Sequence, residues 1–143
     1  MEIERKFLLK RIPERLEDYP AVLIEQAYLC RRPVVRVRDA DGQYELTCKG
    51  KGKMVREEIN LPLSAEAYAS LRAKAEGTVI KKRRYRIPYG AYTIELDRFI
   101  SPRAGLYLAE VEFPTEAEAL AFTPPDWFGE DVTQDEQYHN AQM

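Results

Sequence analysis

The chain has 143 residues, 45% hydrophobic and 32% charged, with a formal net charge of −2 at pH 7. That length suits one domain, 1–143, with a modest core, and nothing in that charge balance points to a general nucleic-acid binder, while it leaves room for local basic clusters. No N-terminal apolar run fits a signal peptide and no stretch is long enough to span a bilayer, so a cytoplasmic protein with neither a membrane nor a specific nucleic-acid partner is expected.

Residues 2–9 read as a first strand. Pro13 and Pro20 bracket a short connection with room for a helical turn. Two further strands, 22–30 and 34–39, flank Arg31-Arg32-Pro33. Asp41-Gly42 marks a hairpin turn into 43–49, and Gly50 and Gly52 permit another turn before 53–60. Cys30 and Cys48 lie in strand-like runs and form no zinc or redox motif, which predicts two reduced thiols. Ser64 predicts a helix cap, with a helix over 65–75 whose apolar stripe is Ala67, Leu71 and Ala75 and whose end is Gly77. A long hairpin, 78–88 and 91–100, turns at Pro88-Tyr89-Gly90, and a strand 106–113 follows. A second helix is predicted around 116–122. The tail carries Trp127, Phe128, Asp131, Asp135 and Tyr138 and is expected to pack against the sheet.

Charges recur on alternate positions of these strands. Glu2, Glu4 and Lys6 alternate, as do Arg36 and Arg38, Lys82 and Arg84, Glu95 and Asp97, and Glu110 and Glu112. Successive side chains of a strand point to opposite faces, so each set points one way. The residues between them are mostly apolar: Ile3, Val37, Leu96 and Val111. Tyr28 and Gln26 have the parity to join the charged face. A flat sheet of eight strands would expose that face and two unpaired edges. Closure into an eight-stranded antiparallel β-barrel removes the edges and encloses the charges as a tunnel. The fold class expected is therefore all-β dominated (α+β), with flanking helices covering the outward apolar face. Buried charges must be paired or bound to offset their desolvation, which points to a functional interior.

The acidic set is Glu2, Glu4, Glu58, Glu95, Asp97, Glu110 and Glu112. The basic set is Lys6, Arg36, Arg38, Lys49, Arg56, Lys82 and Arg84. Clustered carboxylates repel one another, and a hard divalent cation with oxygen ligands, Mg²⁺ or Mn²⁺, relieves that repulsion. The single histidine, His139, argues against a histidine-rich zinc site. Clustered arginines and lysines clamp phosphate oxygens. Together they suit a linear polyphosphate or a nucleoside triphosphate. Glu110 or Glu112 is expected on the side of the attacking water, and Lys6 is grouped with them as catalytic.

The opening Glu2-Ile3-Glu4-Arg5-Lys6 resembles the ExExK signature of the CYTH superfamily, the triphosphate tunnel metalloenzymes. The resemblance continues through Val35-Arg36-Val37-Arg38, Thr47-Cys48-Lys49-Gly50, Arg56-Glu57-Glu58, Lys82-Arg83-Arg84-Tyr85, Glu95-Leu96-Asp97 and Ala109-Glu110-Val111-Glu112-Phe113. It is nearest to the short, single-domain bacterial members. It implies metal binding by Glu2 and Glu4 with Glu110, Glu112 and Asp97. It also implies triphosphate binding by Lys6, Arg36, Arg38, Lys49, Lys82 and Arg84, with Glu58 and Glu95 lining the tunnel. The expected activity is metal-dependent hydrolysis of inorganic triphosphate to orthophosphate and pyrophosphate. Adenylate cyclase, thiamine or nucleoside triphosphatase and a non-catalytic polyphosphate binder are the alternatives. A cyclase must seat adenine, and no residues here specify such a pocket. The sequence fixes no oligomeric state and is compatible with a homodimer.

Other charges take simpler readings. Arg5, Lys51, Lys53, Lys81 and Arg83 fall outside the inward pattern and read as surface charge. His139 reads as an exposed tail histidine. Asp131 and Asp135 read as surface charges or parts of a lid, and Tyr138 as a neighbour of a tunnel mouth.

Overall fold

The computed structural model describes residues 1–143. Its strands are β1 (Glu2–Leu9), β2 (Ala21–Arg31), β3 (Val34–Ala40), β4 (Gln43–Lys49), β5 (Val55–Arg56), β6 (Glu58–Leu63), β7 (Ile80–Tyr89), β8 (Tyr92–Ser101), β9 (Tyr107–Glu112) and β10 (Phe128–Asp131). Two helices, α1 (Ala65–Lys74) and α2 (Glu116–Ala121), flank them. No helix is long and apolar enough to cross a membrane.

The strands form one ten-stranded sheet ordered β10-β1-β9-β8-β7-β2-β3-β4-β6, with β5 also paired to β1. Every pairing is antiparallel. This corrects the expectation of eight strands and a closed ladder in two ways. The predicted strand 53–60 divides at Glu57, because β5 pairs with β1 whereas β6 pairs with β4. The tail supplies an extra strand, β10, against the second half of β1. The ladder does not close by hydrogen bonds, since β6 is paired only on its β4 side.

The turns follow their residues. Asp41 and Gly42 both have positive φ (49° and 85°), the backbone of the tight hairpin that their dipeptide predicts. Gly52 (φ 114°) is obligatory, because a Cβ there would meet the Val55 carbonyl at 2.1 Å. The Ser64 side chain caps α1 by accepting from Ala67 N at 3.1 Å. We expect Ser64→Ala to lower the unfolding free energy by about 1 kcal/mol, read from urea denaturation. The helix stops at Lys74, short of Gly77, which lies beyond it with φ 78°.

Apolar side chains collect in three places. Ala27, Val37 and Tyr68 form the core under α1. A larger cluster holds Phe7, Tyr85, Ile94, Leu96, Val111, Phe113 and Phe128 beneath α2 and the tail. The third contains Tyr28, Val34, Ile80, Phe99 and Leu108, joined by the tail residues Val132 and Ala141. The first two lie on the outward side of the sheet, as the alternation requires. The third shares the parity of the charged side chains, so the tail closes off the inner face at one end with an apolar layer. Both cysteines are free.

Candidate active site

The inward side chains of nine strands, β1 to β9, converge on a cavity of about 300 Å³. Seven carboxylates (Glu2, Glu4, Glu45, Glu58, Glu95, Glu110 and Glu112) share its wall with seven cations (Lys6, Arg36, Arg38, Lys49, Arg56, Arg84 and Arg86). Strand register brings them together. Glu4 stands opposite Glu112 and Lys6 opposite Glu110, while Glu110 also stands opposite Glu95 on its other side. Tyr28 stands opposite Arg36, and Lys49 opposite Glu58. Only three of the twenty lining residues are hydrophobic, so the wall suits ions and phosphate oxygens and offers little to an aromatic base.

Most charges are paired across the cavity. Lys49 Nζ lies 2.9 Å from Glu2 and 3.5 Å from Glu58, and Arg56 Nε donates to Glu2 at 3.2 Å. Lys6 Nζ lies 3.4 Å from Glu110 and donates to the Tyr138 carbonyl at 3.1 Å. Arg84 Nη2 reaches to 4.0 Å from Glu110. Burial alone would raise the Glu110 carboxyl, but Lys6, Arg84 and Lys82 outweigh it and hold it well below the usual carboxylate range. The Glu2 carboxyl is lowered in the same way, with Lys49 overcoming burial.

Two charges stand apart. Glu4 is buried and forms no ion pair; burial and the neighbouring Glu110 push its carboxyl up to about 8. Arg36 is 9% exposed and has no carboxylate partner, and its Nε is buried without a hydrogen-bond acceptor. A buried carboxylate without a cation and a buried guanidinium without an anion are costly in isolation. They are the groups that a metal ion and a phosphate would satisfy.

Thirteen of the fifteen residues expected at the site line this cavity: Glu2, Glu4, Lys6, Tyr28, Arg36, Arg38, Lys49, Arg56, Glu58, Arg84, Glu95, Glu110 and Glu112. Lys82 and Asp97 share the inward parity but sit beneath the wall. Asp97 is fully buried, with Lys82 Nζ at 2.8 Å, Arg84 Nε at 2.7 Å and Arg84 Nη2 at 2.9 Å. Both carboxylate oxygens are thereby engaged, and these cations hold the Asp97 carboxyl low against its burial.

Glu45, Asn60 and Arg86 also line the cavity, although they carry none of the sequence assignments. Extending the parity by two residues from Thr47, Glu58 and Arg84 finds them. His139 and Asn140 line it as well, and no periodic pattern marks them. The expectation of an exposed His139 is overturned: the ring is half-buried, with Nε2 2.8 Å from the Thr133 carbonyl oxygen. Thr133 ties the tail to β1 by accepting from Lys6 N at 2.9 Å. Asp131 lies outside the cavity, 2.9 Å from Arg5, and Asp135 accepts from Gln137 N at 3.1 Å.

The cavity contains no cysteine, and carboxylate oxygens are the most numerous donors it offers a metal. That set fits a hard cation such as Mg²⁺ or Mn²⁺. No three Asp, Glu, His or Cys side chains are gathered tightly enough to hold an ion as they stand, because Glu2 and Glu110 are turned toward cations. Glu4, which is buried, and Glu112, which is exposed, are already free of one.

An antiparallel sheet thus lines its inner face with seven carboxylates and seven cations, among them a buried carboxylate and a buried guanidinium without a counter-charge. The CYTH domain model matches residues 1–140, and the chain belongs to this family. It is 38% identical to the inorganic triphosphatase of Nitrosomonas europaea, covering 99% of this chain and 95% of that protein. It is 33% identical to the inorganic triphosphatase of Acetivibrio thermocellus, covering 99% and 92%. The crystal structure of an inorganic triphosphatase superposes with a TM-score of 0.71 at 34% identity, covering 99% of this chain and 93% of the other.

Proposed function

We propose that this protein is a divalent-metal-dependent triphosphatase that hydrolyses inorganic triphosphate to orthophosphate and pyrophosphate. The observation that carries this reading is Arg36, a buried guanidinium on the cavity wall with no carboxylate to neutralise it. A linear triphosphate supplies the missing anion. Arg38, Lys49, Arg56 and Arg84 contribute further donors, and Lys6 leaves the Tyr138 carbonyl and Glu110 to join them. The inorganic triphosphatase relatives and the nearly apolar-free wall favour a bare phosphate chain over a nucleotide or thiamine ester.

Glu4, Glu2, Glu110 and Glu112 are the residues that would hold Mg²⁺ or Mn²⁺. When bound, such a cation neutralises phosphate charge and activates a water for attack on a terminal phosphorus. Glu58 and Glu95 tune the charge of the wall. Asp97 and Lys82 have a positioning role, since Asp97 fixes the Arg84 guanidinium from beneath. The chain joint at Glu57, which links a strand paired to β1 with one paired to β4, supports a barrel whose wall is completed covalently and whose interior is the binding tunnel.

The test is to incubate the protein with tripolyphosphate, ATP and thiamine triphosphate, each with Mg²⁺ or Mn²⁺, and to resolve all products. Orthophosphate and pyrophosphate from tripolyphosphate, with little product from the others, is the expected result. Cyclic AMP from ATP, or no turnover of any substrate, sinks the proposal. Arg36→Ala should lower kcat/KM for tripolyphosphate by about 10²-fold, the loss of roughly 2.7 kcal/mol of charge-assisted hydrogen bonding.

A further inference from the structure

Beside the inner cavity lies a second space, a groove of about 660 Å³ walled by the β2–β3 turn, the loop between β4 and β5, and the tail. Val34, Arg56, His139 and Ala141 line both, so the two spaces share a wall. Their charge differs. The inner cavity balances seven carboxylates against seven cations. The groove sets five cations, Arg31, Arg32, Lys51, Lys53 and Arg56, against one carboxylate, Glu136. The whole chain has a formal net charge of −2, so this excess is local and does not follow from composition.

Two of these cations are neutralised within the protein. Lys53 Nζ lies 3.7 Å from Glu136, and Arg56 is paired with Glu2. Arg31, Arg32 and Lys51 have no carboxylate partner. Arg32 and Lys51 are exposed, and taken singly each reads as a solvated surface charge. Arg31 does not. Its Nε donates to the Ala141 carbonyl at 2.8 Å, and its guanidinium lies over the Tyr28 ring, 5.3 Å from the centroid. It is therefore held in place while its charge stays uncompensated, and an anion bound beside it needs to freeze no long side chain there. The same wall has further donors, since the Lys51, Gly52 and Lys53 amides have no acceptor in the protein.

We propose that this groove is a second binding site, separate from the catalytic cavity, for linear inorganic polyphosphate longer than the triphosphate. The groove's charge carries the site, and the choice of an inorganic chain as its ligand rests on the triphosphatase reading. An unbranched phosphate chain presents charged oxygens along its whole length, which matches cations spread over two loops. A nucleic acid fits less well. Single strands are held by stacking bases on aromatic rings, and the one ring here, His139, is half-buried against Thr133. A long chain held in the groove keeps phosphate units beside the cavity and raises their local concentration there.

The experiment compares the parent with the double variant Arg32→Ala/Lys51→Ala, neither residue belonging to the inner cavity. Equilibrium binding of long-chain inorganic polyphosphate is measured in EDTA, where binding is read without turnover. Tripolyphosphate hydrolysis is measured separately with Mg²⁺. At about 0.15 M salt the double variant should bind the long chain about 10-fold more weakly, and its slope of log K against log salt should be shallower by about 1.4, roughly 0.7 for each lost phosphate contact. Its kcat and KM for tripolyphosphate should equal the parent's, which also shows that it folds. Unchanged binding of the long chain overturns the proposal. So does an equal loss in tripolyphosphate KM, which makes the groove part of the inner site. Single-stranded RNA of matched charge bound as tightly as polyphosphate overturns the choice of ligand. Absence of tripolyphosphate turnover in the parent sinks the triphosphatase reading while the binding comparison in EDTA still decides the groove, so the two failures are distinguishable.

Discussion

Glu4→Gln should abolish metal-dependent turnover and at the same time make the metal-free protein more stable above neutral pH. The Glu4 carboxyl is buried, forms no ion pair and is pushed up to about 8 by burial and by Glu110. The folded protein therefore holds a proton there between about 4.5 and 8 that the unfolded chain has released. Wherever the folded state binds more protons, stability falls as pH rises. This contribution is thus fully present below 4.5 and lost as pH climbs through 8. The amide carries no such penalty. Urea titrations without metal should show the variant and the parent about equal near pH 4.5 and the variant ahead by a few kcal/mol above pH 8. Loss of turnover by at least about 10²-fold is expected from removing an ionic oxygen donor. A variant that keeps activity, or that tracks the parent's stability at every pH, contradicts the assignment of Glu4.

Asp97→Ala should have the largest cost to folding. Asp97 is enclosed and neutralises both Lys82 and Arg84 at 2.7–2.9 Å. Removing it leaves two cations facing each other in a desolvated layer, and breaking a buried pair in this way costs about 3–5 kcal/mol. Urea denaturation without metal or substrate measures this directly. The loss should be present in metal-free protein, because the partners of Asp97 are side chains of this chain. An unchanged midpoint in metal-free conditions would return Asp97 to the role of a metal ligand. Asp97→Asn should lose less than the alanine variant, since its amide oxygen still accepts from one cation.

These two residues also show how far alternation carries. Glu4 and Asp97 have the same parity and the same ExE or ExD context, and sequence reasoning grouped both as metal ligands. Parity assigns a side chain to a face of the sheet, which both occupy. It does not assign depth along that face. Depth comes from the stagger of the strands, which sets Glu4 opposite Glu112 on the cavity wall and Asp97 opposite Arg84 beneath it.

The same distinction runs through the fold. Local chemistry located most elements: Asp41-Gly42 dictates a tight hairpin, Ser64 starts a helix, and inward charges alternate with outward apolar residues along β1, β3, β8 and β9. These signals depend on neighbours within a few residues, so the sequence by itself determined them. It also determined that the inner face would be charged, and the family motifs made the polyphosphate chemistry legible.

Only the tertiary structure decided what depends on distant partners. The strand after Gly52 splits at Glu57 because its two halves meet different neighbours, β1 and β4. The tail has no periodic pattern, yet Val132 N donates to the Lys6 carbonyl at 2.8 Å and Lys6 N donates to Thr133. Those bonds bring His139 to the cavity from more than 125 residues away in sequence. Which charges are already neutralised and which, like Glu4 and Arg36, still lack a counter-charge is likewise a matter of register and depth. Alternation places a charge on a face, but Coulomb energy and desolvation act through space, and only the folded chain sets those distances.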